Sequence, residues 1–446
     1  MPPQPFLYIP MRSCFATVLS LALLLTVPSA AAQSTAPTSL PSASGPPAIG
    51  DSTAPSASEK GIANEAPWES AGSYVGDHAD DYGGADRGWT HPHERESLIY
   101  RAAAPLRYNR VEGAVLGLRR APLSLRDPDD TARIYGQIGY AFALEALRYT
   151  IGLESKVVRD AETALKLGVS YQRQTLTPDR WKTSFLENSL GGLGLGYDFF
   201  DYYEAEGLSL YAVQALPHTL RLTAGFRAEE HRPLTPNTGW SLFEASPFRP
   251  NPEAAPGRLH AGYVSLEGGQ IRDHDGLPTG TAVRVAATLG TALGGDFDAN
   301  RYEVDGRAFL PLSPTTRLGL RLRGGYATSE APLQMQFALG GIGSVRSYDQ
   351  NARRGTRMLL GNAEYIIDGA TLDNDFLDDV FLVGLFDAGW VGQPGQRFRL
   401  DDVLPSAGFG IGLDERQVRL DISWPLRSVP ETGSRPSIWL RITPNF

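Results

Sequence analysis

The final stretch of the chain, Ser437–Phe446, reads SIWLRITPNF and ends at the last residue. Successive side chains of a β-strand point to opposite faces, so positions of equal parity share a face. One face would carry Ile438, Leu440, Ile442, Pro444 and Phe446, and the other Trp439, Arg441, Thr443 and Asn445. The stretch therefore predicts a strand with one apolar face and one mixed face.

The same two-residue period recurs from about residue 108 to the C-terminus. Apolar residues alternate there with Arg, Lys, Glu, Thr, Ser and Gly, over segments of about eight to eleven residues. The clearest segments are 165–172, 220–227, 283–289, 317–326, 409–413 and 418–424. The fold is therefore predicted to be all-β.

Two architectures accommodate such strands. A soluble sandwich turns its apolar faces inward, whereas an outer-membrane barrel turns them to lipid and keeps a polar lumen. The charged polar faces, segment lengths near those of a membrane-spanning strand and the terminal Phe446 favour a transmembrane antiparallel barrel. Trp439 and Phe446 are assigned as its C-terminal signal. The pattern indicates about 15 strands; because such barrels have an even number, 16 are predicted, and residues 181–206 hold either an extra strand or a short helix.

Composition narrows the function. The formal net charge of −9 argues against binding nucleic acid through phosphate contacts. The single cysteine, Cys14, cannot form an internal disulfide or a thiolate zinc site. Acidic residues are clustered in several places, but none of these clusters has the spacing of an EF-hand calcium loop. The sequence also contains no hydrolase or metalloprotease motif. No cofactor, metal site or enzymatic activity is predicted.

The N-terminal part has the layout of an export signal. Met11-Arg12 is followed by the apolar run Phe15–Val27 and by small residues up to Ala32. We expect residues 1–32 to be a signal peptide. Residues 33–66 are rich in Ser, Ala and Pro and are expected to be a disordered linker. Residues 67–106 are expected to be an N-terminal segment of uncertain structure. The barrel is expected to comprise residues 107–446.

Four motifs in the C-terminal third occur in an order that resembles the bacterial surface antigen family. This family comprises outer-membrane assembly and translocation barrels, including BamA, TamA and the two-partner secretion transporters. The motifs are Gly340-Gly341-Ile342-Gly343-Ser344-Val345-Arg346-Ser347-Tyr348, Gly361-Asn362-Ala363-Glu364-Tyr365, Phe386-Asp387-Ala388-Gly389, and Gly408–Gly412 followed by Arg419–Ile422. Upstream, Tyr108-Asn109-Arg110-Val111-Glu112-Gly113 resembles a first-strand signature of short members.

The resemblance implies that a long loop folds into the lumen and carries Val345, Arg346, Ser347 and Tyr348 near its tip. Glu364 and Asp387 would be its lumenal anchors. Strand parity agrees, because Asn362, Glu364 and Asp387 can all face the lumen, and a planar guanidinium suits carboxylates. Arg346, Glu364 and Asp387 either take part in function or only hold the loop in place. Ser347 replaces the glycine usual in the family, so the loop tip is expected to differ in shape.

The resemblance further implies an outer-membrane barrel that assembles, inserts or translocates membrane proteins or lipids. No POTRA-like pattern precedes the barrel, so we expect a member without POTRA domains that contacts outer-membrane lipid and relies on a periplasmic partner. The alternatives are a passive channel for anionic solutes, with Arg221, Arg284, Arg321 and Arg323 in its lumen, and a surface barrel that only binds partners. The sequence does not define an oligomeric state.

Overall fold

The structure is a computed structural model. Most of the predicted N-terminal segments, including the signal peptide, lie outside the residues that it describes. The described residues are 104–123, 131–159, 163–217, 219–244, 247–274, 277–369, 380–413, 418–429 and 432–442.

Sixteen strands form one antiparallel sheet in chain order, which confirms the predicted barrel architecture and strand number. The strands are β1 Arg107–Asn109, β2 Gly113–Arg120, β3 Ala132–Ala141, β4 Ala146–Val158, β5 Leu165–Leu176, β6 Tyr203–Leu216, β7 Leu220–Pro233, β8 Gly257–His274, β9 Leu277–Leu289, β10 Asn300–Ser313, β11 Thr316–Ala327, β14 Arg357–Asp368, β15 Val380–Gly392, β16 Leu404–Leu413, β17 Val418–Pro425 and β18 Ser437–Ile442. A separate two-stranded hairpin, β12 Phe337–Leu339 and β13 Arg353–Gly355, lies between β11 and β14.

Helical structure among the described residues is confined to loops. The helix α1, Phe185–Leu195, lies between β5 and β6, so the ambiguous region 181–206 holds a helix rather than an extra strand. Short 3₁₀ turns occur at Leu333–Met335 and Leu400–Asp402. No helix in the described part of the chain combines the length and apolar character needed to cross a membrane.

The distribution of polarity is the inverse of that in a soluble domain. Leu118 is 78% exposed and Ile134 is 65% exposed, whereas Arg323 and Glu364 are 2% and 0% exposed. The apolar residues predicted on one face of each strand thus point outward, and the charged residues of the other face are enclosed. This is the pattern of a barrel wall with lipid outside and a polar lumen inside.

Aromatic side chains on lumenal faces fill the space left by glycines on the neighbouring strands. Tyr135 is paired directly opposite Gly152, and a Cβ at Gly152 would overlap the tyrosine ring. Such pairs fix the register, because only a glycine leaves room for the ring. The other pairs are Tyr211–Gly168, Tyr263–Gly225, Phe309–Gly319 and Phe381–Gly412.

The first and last strands are short, with three residues in β1 and six in β18. The sheet order begins at β1 and ends at β18, and no ladder joins the two strands within the described residues. The helix α1 contacts both of them. We call this region, formed by β1, α1 and β18, the seam.

The loop between β11 and β14 packs inside the wall. Its apolar residues Leu339, Val345 and Tyr348 are buried in one cluster with Leu360 and Val391 from strands β14 and β15. The hairpin β12–β13 therefore brings the segment 340–352 into the lumen, as the predicted loop requires.

Candidate functional site

Glycines determine the path of the lumenal loop. Gly341 and Gly343 have φ values of +82° and +67°, a region that favours glycine. A Cβ on Gly343 would also overlap the carbonyl oxygen of Lys182, and a Cβ on Gly341 would overlap the side chain of Gln350. The glycine-rich approach therefore turns the backbone sharply and lets it lie against neighbouring loops.

Val345 anchors the loop through apolar packing. Its side chain is fully buried, and a Cβ added to Gly389 would lie 2.7 Å from Val345 Cγ2 and 2.8 Å from Leu339 Cδ1. Gly389 ends the Phe386-Asp387-Ala388-Gly389 motif, so this motif provides the space that the loop occupies. Two motifs distant in the sequence are thus complementary in shape.

Arg346 follows directly and is 1% exposed. Its Nη2 lies 2.7 Å from Glu364 Oε1, and its Nε lies 3.7 Å from Asp387 Oδ2. The backbone N–H of Arg346 also donates to Asp387 Oδ2 at 3.2 Å. The structure therefore brings together the three residues that the sequence singled out. Their functional role remains a prediction.

Two further residues complete this cluster, and both lie on β17. Arg419 donates from Nη1 to Glu364 Oε2 at 2.9 Å and from Nη2 to Glu364 Oε1 at 2.9 Å. Arg419 Nε also lies 2.8 Å from Asp421 Oδ1, and Asp421 Oδ2 lies 3.8 Å from Arg346 Nε. The order of the motifs does not predict that Arg419 and Asp421 join the cluster, although their equal parity assigns them to one face of the strand.

The charges of this set, which we call the lumenal cluster, nearly balance. Two arginines against three carboxylates give a formal charge of 2 − 3 = −1 when all are ionised. Neutral donors satisfy the remaining carboxylate, because Asn362 Nδ2 donates to Asp387 Oδ1 at 2.7 Å and Ser406 Oγ donates to Asp387 Oδ2 at 3.1 Å. Buried charges persist only with such pairing.

Ser347 and Tyr348 connect the loop to the last strands. Ser347 Oγ lies 3.0 Å from Ser423 Oγ, and the single O–H of Tyr348 lies between the carbonyl oxygens of Pro405 and Arg427, at 3.0 and 2.9 Å. Ser347 does not have a positive φ, so the serine needs no glycine-like backbone. The backbone conformation of Ser347 therefore gives no reason for the loop tip to differ in shape from the family pattern.

Trp439 faces the lumen and contacts the loop. Its Nε1–H donates to the carbonyl of Arg346 at 3.0 Å, and Ser437 Oγ donates to the same oxygen at 2.8 Å. The closing strand therefore holds the backbone of the loop tip. Phe446, the other residue of the predicted C-terminal signal, lies outside the described residues, so the signal role of both stays a prediction.

Three of the four arginines proposed for an anion-selective lumen, Arg284, Arg321 and Arg323, have acidic partners. Arg321 donates to both carboxylate oxygens of Asp305, and Arg323 lies 2.6 Å from Asp305 Oδ2 and 2.6 Å from Glu303 Oε2. Arg284 Nε lies 3.4 Å from Glu267 Oε1. Paired guanidinium groups give a weaker field for anions than isolated ones, so this arrangement argues against the channel alternative.

The upstream motif Tyr108–Gly113 forms a buried turn between β1 and β2. Asn109 Oδ1 accepts from the N–H groups of Val111 and Glu112 at 3.0 and 2.8 Å, and Arg107 pairs with Glu112 at 2.5 Å. Arg110 lies 3.1 Å from Asp198, which precedes β6. The motif therefore fastens the first turn to the loop that carries α1.

A second charged junction joins three loops around Asp201. This residue lies 2.6 Å from Arg249 Nη1, accepts from Asn351 Nδ2 at 2.7 Å and pairs with Arg354. Burial raises the pKa of the Asp201 carboxyl, but Arg249, Arg354 and Arg110 lower it more, to about 2. Asp201 therefore stays ionised and holds the loops that carry α1 and Arg346 together.

Metal ligands do not cluster in the described part of the chain, where no group of three or more His, Cys, Asp or Glu side chains could hold an ion. The lumenal cluster consists of carboxylates neutralised by guanidinium groups. Its arrangement can fix a backbone segment in the lumen and can change only by separating buried charges.

These features define a transmembrane β-barrel of the outer-membrane type whose long loop is anchored in the lumen by buried ion pairs. Residues 270–433 match the Omp85 superfamily domain, and the chain thus carries an Omp85 domain. This match confirms the predicted relation to outer-membrane assembly and translocation barrels. Residues 86–261 match the C-terminal domain of a family of unknown function, DUF5686. The two matched regions meet within β8, where the sheet continues without interruption.

The solved structures that resemble the chain include two kinds of outer-membrane protein, BamA and CdiB. BamA from Haemophilus ducreyi lacking POTRA domains 1–3 is 12% identical with a TM-score of 0.43, covering 75% of this chain and 68% of that one. CdiB from Acinetobacter baumannii is 12% identical with a TM-score of 0.43, covering 74% and 56%. CdiB from Escherichia coli is 13% identical with a TM-score of 0.42, covering 75% and 60%. The chain thus spans less than two thirds of either CdiB structure. No curated protein sequence matches the chain.

Proposed function

We propose that this protein is an outer-membrane barrel that assembles, inserts or translocates membrane proteins or lipids. The observation that carries the proposal is the anchoring of Arg346 among Glu364, Asp387 and Asp421 at the centre of the Omp85 domain. A pore for passive diffusion needs open cross-section, whereas this loop fills lumenal space and binds five successive strands, β14 to β18.

The test is complementation of a strain that lacks the gene. We expect the deletion to change the outer-membrane content of barrel proteins or lipids, and wild-type protein to restore it. Arg346→Ala should fail to restore it at an equal level of folded barrel, because the loop then loses its charged anchor. Arg435→Ala is the matched control, since Arg435 forms an exposed ion pair with Asp349, with the arginine side chain 77% exposed. Full restoration by Arg346→Ala would remove the support for this function.

Conductance in planar bilayers separates this proposal from the channel alternative. The wild-type protein should give small or transient currents, because the loop occupies the lumen. A large, steady and anion-selective conductance from the wild type, unchanged in Arg346→Ala, would instead support a passive channel.

The proposed periplasmic partner has its own test. Residues 33–106 precede the barrel, and a variant without residues 33–106 but with the export signal retained tests whether they recruit a partner. Crosslinking in intact cells should capture a periplasmic protein with the full chain and lose it with the truncated one. Equal crosslinking of both chains would make the segment a spacer.

A further inference from the structure

The seam contains an element that differs from the rest of the wall. Every other neighbouring pair of strands in the 16-stranded sheet is joined by a ladder, but β1 and β18 are not joined within the described residues. A sheet edge presents unpaired N–H and C=O groups, and in a bilayer these groups must be satisfied by protein. The contacts of α1 with both edge strands therefore raise the question of whether the helix satisfies these backbone groups.

Side chains of α1 accept hydrogen bonds from backbone amides of both edges. Ser189 Oγ accepts from the N–H of Tyr108 on β1 at 3.1 Å, and Glu187 Oε1 accepts from the N–H of Ile442 on β18 at 3.1 Å. Strand N–H groups lie in the plane of the sheet and point toward the neighbouring strand. An acceptor at hydrogen-bond distance along that direction occupies the position where the next strand would lie. The helix therefore stands in the wall between the two strands.

The buried face of α1 matches this position. Arg441 Nε donates to Glu187 Oε1 at 2.8 Å, and Asn188 bonds to Tyr202 OH and to the N–H of Phe199 at 2.9 and 2.7 Å. Gly192 is buried, and a Cβ there would lie 3.5 Å from the ring of Tyr108. Polar groups of the helix thus bond to β18 and to the loop that precedes β6, and Gly192 lies against the ring of Tyr108 on β1.

The opposite face of α1 is apolar. Leu190, Leu193 and Leu195 are 45%, 38% and 41% exposed. Residues three apart share one side of a helix, so Leu190 and Leu193 form a stripe. A nearby segment adds further apolar surface, with Trp240, Leu242 and Phe243 53%, 60% and 69% exposed. Large exposed apolar patches mark interaction sites.

Backbone carbonyls at the end of α1 are bonded to amides of the protein. Gly191 and Gly192 accept from Tyr197 and Gly196 at 3.0 and 3.2 Å. Leu193 and Gly194 accept from the N–H groups of Leu242 and Phe243 at 2.7 and 3.0 Å. The terminal carbonyls of a helix in water need no such partners, whereas in lipid they do.

We propose that α1 is a lipid-facing part of the barrel wall that closes the seam between β1 and β18, with Glu187 and Ser189 capping the strand edges and the leucine stripe contacting acyl chains. The partner of this surface is the hydrocarbon region of the membrane. The inference rests on the transmembrane fold and is independent of the assembly function proposed above.

Nitroxide labels measure the environment of the stripe directly. A Cys14→Ser background removes the only cysteine of the chain, and Leu190→Cys and Leu193→Cys then carry single labels in the barrel reconstituted in phosphatidylcholine vesicles. Molecular oxygen partitions into lipid and a water-soluble nickel chelate does not. We expect high oxygen and low nickel relaxation at both positions, as at Leu118→Cys on the outer face of β2. Nickel accessibility equal to that of Glu330→Cys, in an exposed loop, would overturn the proposal.

The caps are tested by changing Glu187 in the labelled protein. Glu187→Ala removes an acceptor of the Ile442 N–H and an ion-pair partner of Arg441, so nickel accessibility at Leu190→Cys should rise several-fold. Glu187→Gln keeps an amide oxygen that can accept from Ile442 and should retain most of the protection. Unchanged accessibility in Glu187→Ala would show that the carboxylate does not hold the helix in the seam. If Glu187→Ala does not fold, the label comparison in the Cys14→Ser background still decides where the stripe lies.

Discussion

Arg346 lies against strands β14 to β17, which are joined by continuous ladders, whereas Glu187 lies where no ladder joins β1 and β18 among the described residues. In the lumenal cluster, the wall is complete and charged side chains fix a loop upon it. In the seam, side chains of a helix accept hydrogen bonds from backbone amides of both edge strands. Buried charged side chains thus fix the position of a loop in the lumenal cluster, and in the seam they accept hydrogen bonds from strand backbone.

The difference has energetic consequences. The lumenal cluster pairs two buried arginines with three buried carboxylates, so removing one group leaves its hydrogen-bonding partners buried without it. The seam combines one ion pair, Glu187 with Arg441, with neutral hydrogen bonds and apolar packing. We therefore expect the lumenal cluster to respond to single substitutions more strongly than the loops around it.

Glu364→Ala should have the largest effect. Glu364 is fully buried and accepts hydrogen bonds from both Arg346 and Arg419, so its loss leaves the donors of three charge-assisted hydrogen bonds buried without that acceptor. We expect a loss of about 3–5 kcal/mol in the free energy of unfolding, measured by urea titration in lipid. The matched control is Glu230→Ala, whose partner Arg232 is partly exposed and whose expected effect is below about 1 kcal/mol. Equal losses in the two variants would refute the distinction between buried and exposed pairs.

Gly343→Ala tests the contact between the lumenal loop and the loop that carries α1. Its φ of +67° disfavours alanine, and the added Cβ would overlap the carbonyl of Lys182. Strain and overpacking together should cost about 3 kcal/mol in the same titration. Gly361→Ala is the control, because nothing lies within 4 Å of its Cβ position. A stable Gly343→Ala barrel would mean that the two loops adjust independently.

The Asp201 junction predicts a pH dependence. Its pKa is lowered to about 2 in the folded protein, so its stabilisation is complete above the ordinary carboxyl pKa of about 4 and is lost as pH falls toward 2. The shift corresponds to about 2 kcal/mol. Unfolding free energies of wild type and Asp201→Asn should therefore converge between pH 4 and pH 2. Asp349→Asn, at an exposed pair, should remain parallel to wild type, and a parallel course for Asp201→Asn would contradict the assignment.

Ser347→Gly should have the smallest effect of the four. The substitution restores the glycine of the family pattern and removes the hydrogen bond to Ser423 at 3.0 Å. Because Ser347 needs no positive φ, glycine brings no relief of strain, and a loss of about 1 kcal/mol is expected. Ser329→Gly, in an exposed loop, is the control. A gain in stability would show that serine distorts the loop tip.

Much of the wall could be predicted because strand side chains alternate with a period of two. Leu118 and Arg323 are typical: parity alone assigns one to lipid and the other to the lumen. The meeting of Arg346 with Glu364 and Asp387 followed from parity and the family resemblance together. Asp421 escaped prediction because the sequence does not reveal how far a strand is displaced along the barrel, and that displacement decides which lumenal residues meet.

The seam could not be predicted for a different reason. The helix α1 contains three glycines, Gly191, Gly192 and Gly194, and such a segment has low helix propensity. It is helical because Ser184 caps its start by accepting from the N–H of Glu187 and because β1 and β18 pack against it. Tertiary contacts of this kind leave no periodic signal in the sequence.

The aromatic and glycine residues paired across the lumenal faces have a consequence for how the wall forms. If β3 slipped by one residue against β4, the ring of Tyr135 would leave the space opposite Gly152 and turn toward lipid. The phenol would then lose its enclosed setting, and the vacated space would become a cavity. Each pair therefore penalises a misaligned hairpin locally, before distant strands have formed, so errors in alignment can be reversed one hairpin at a time.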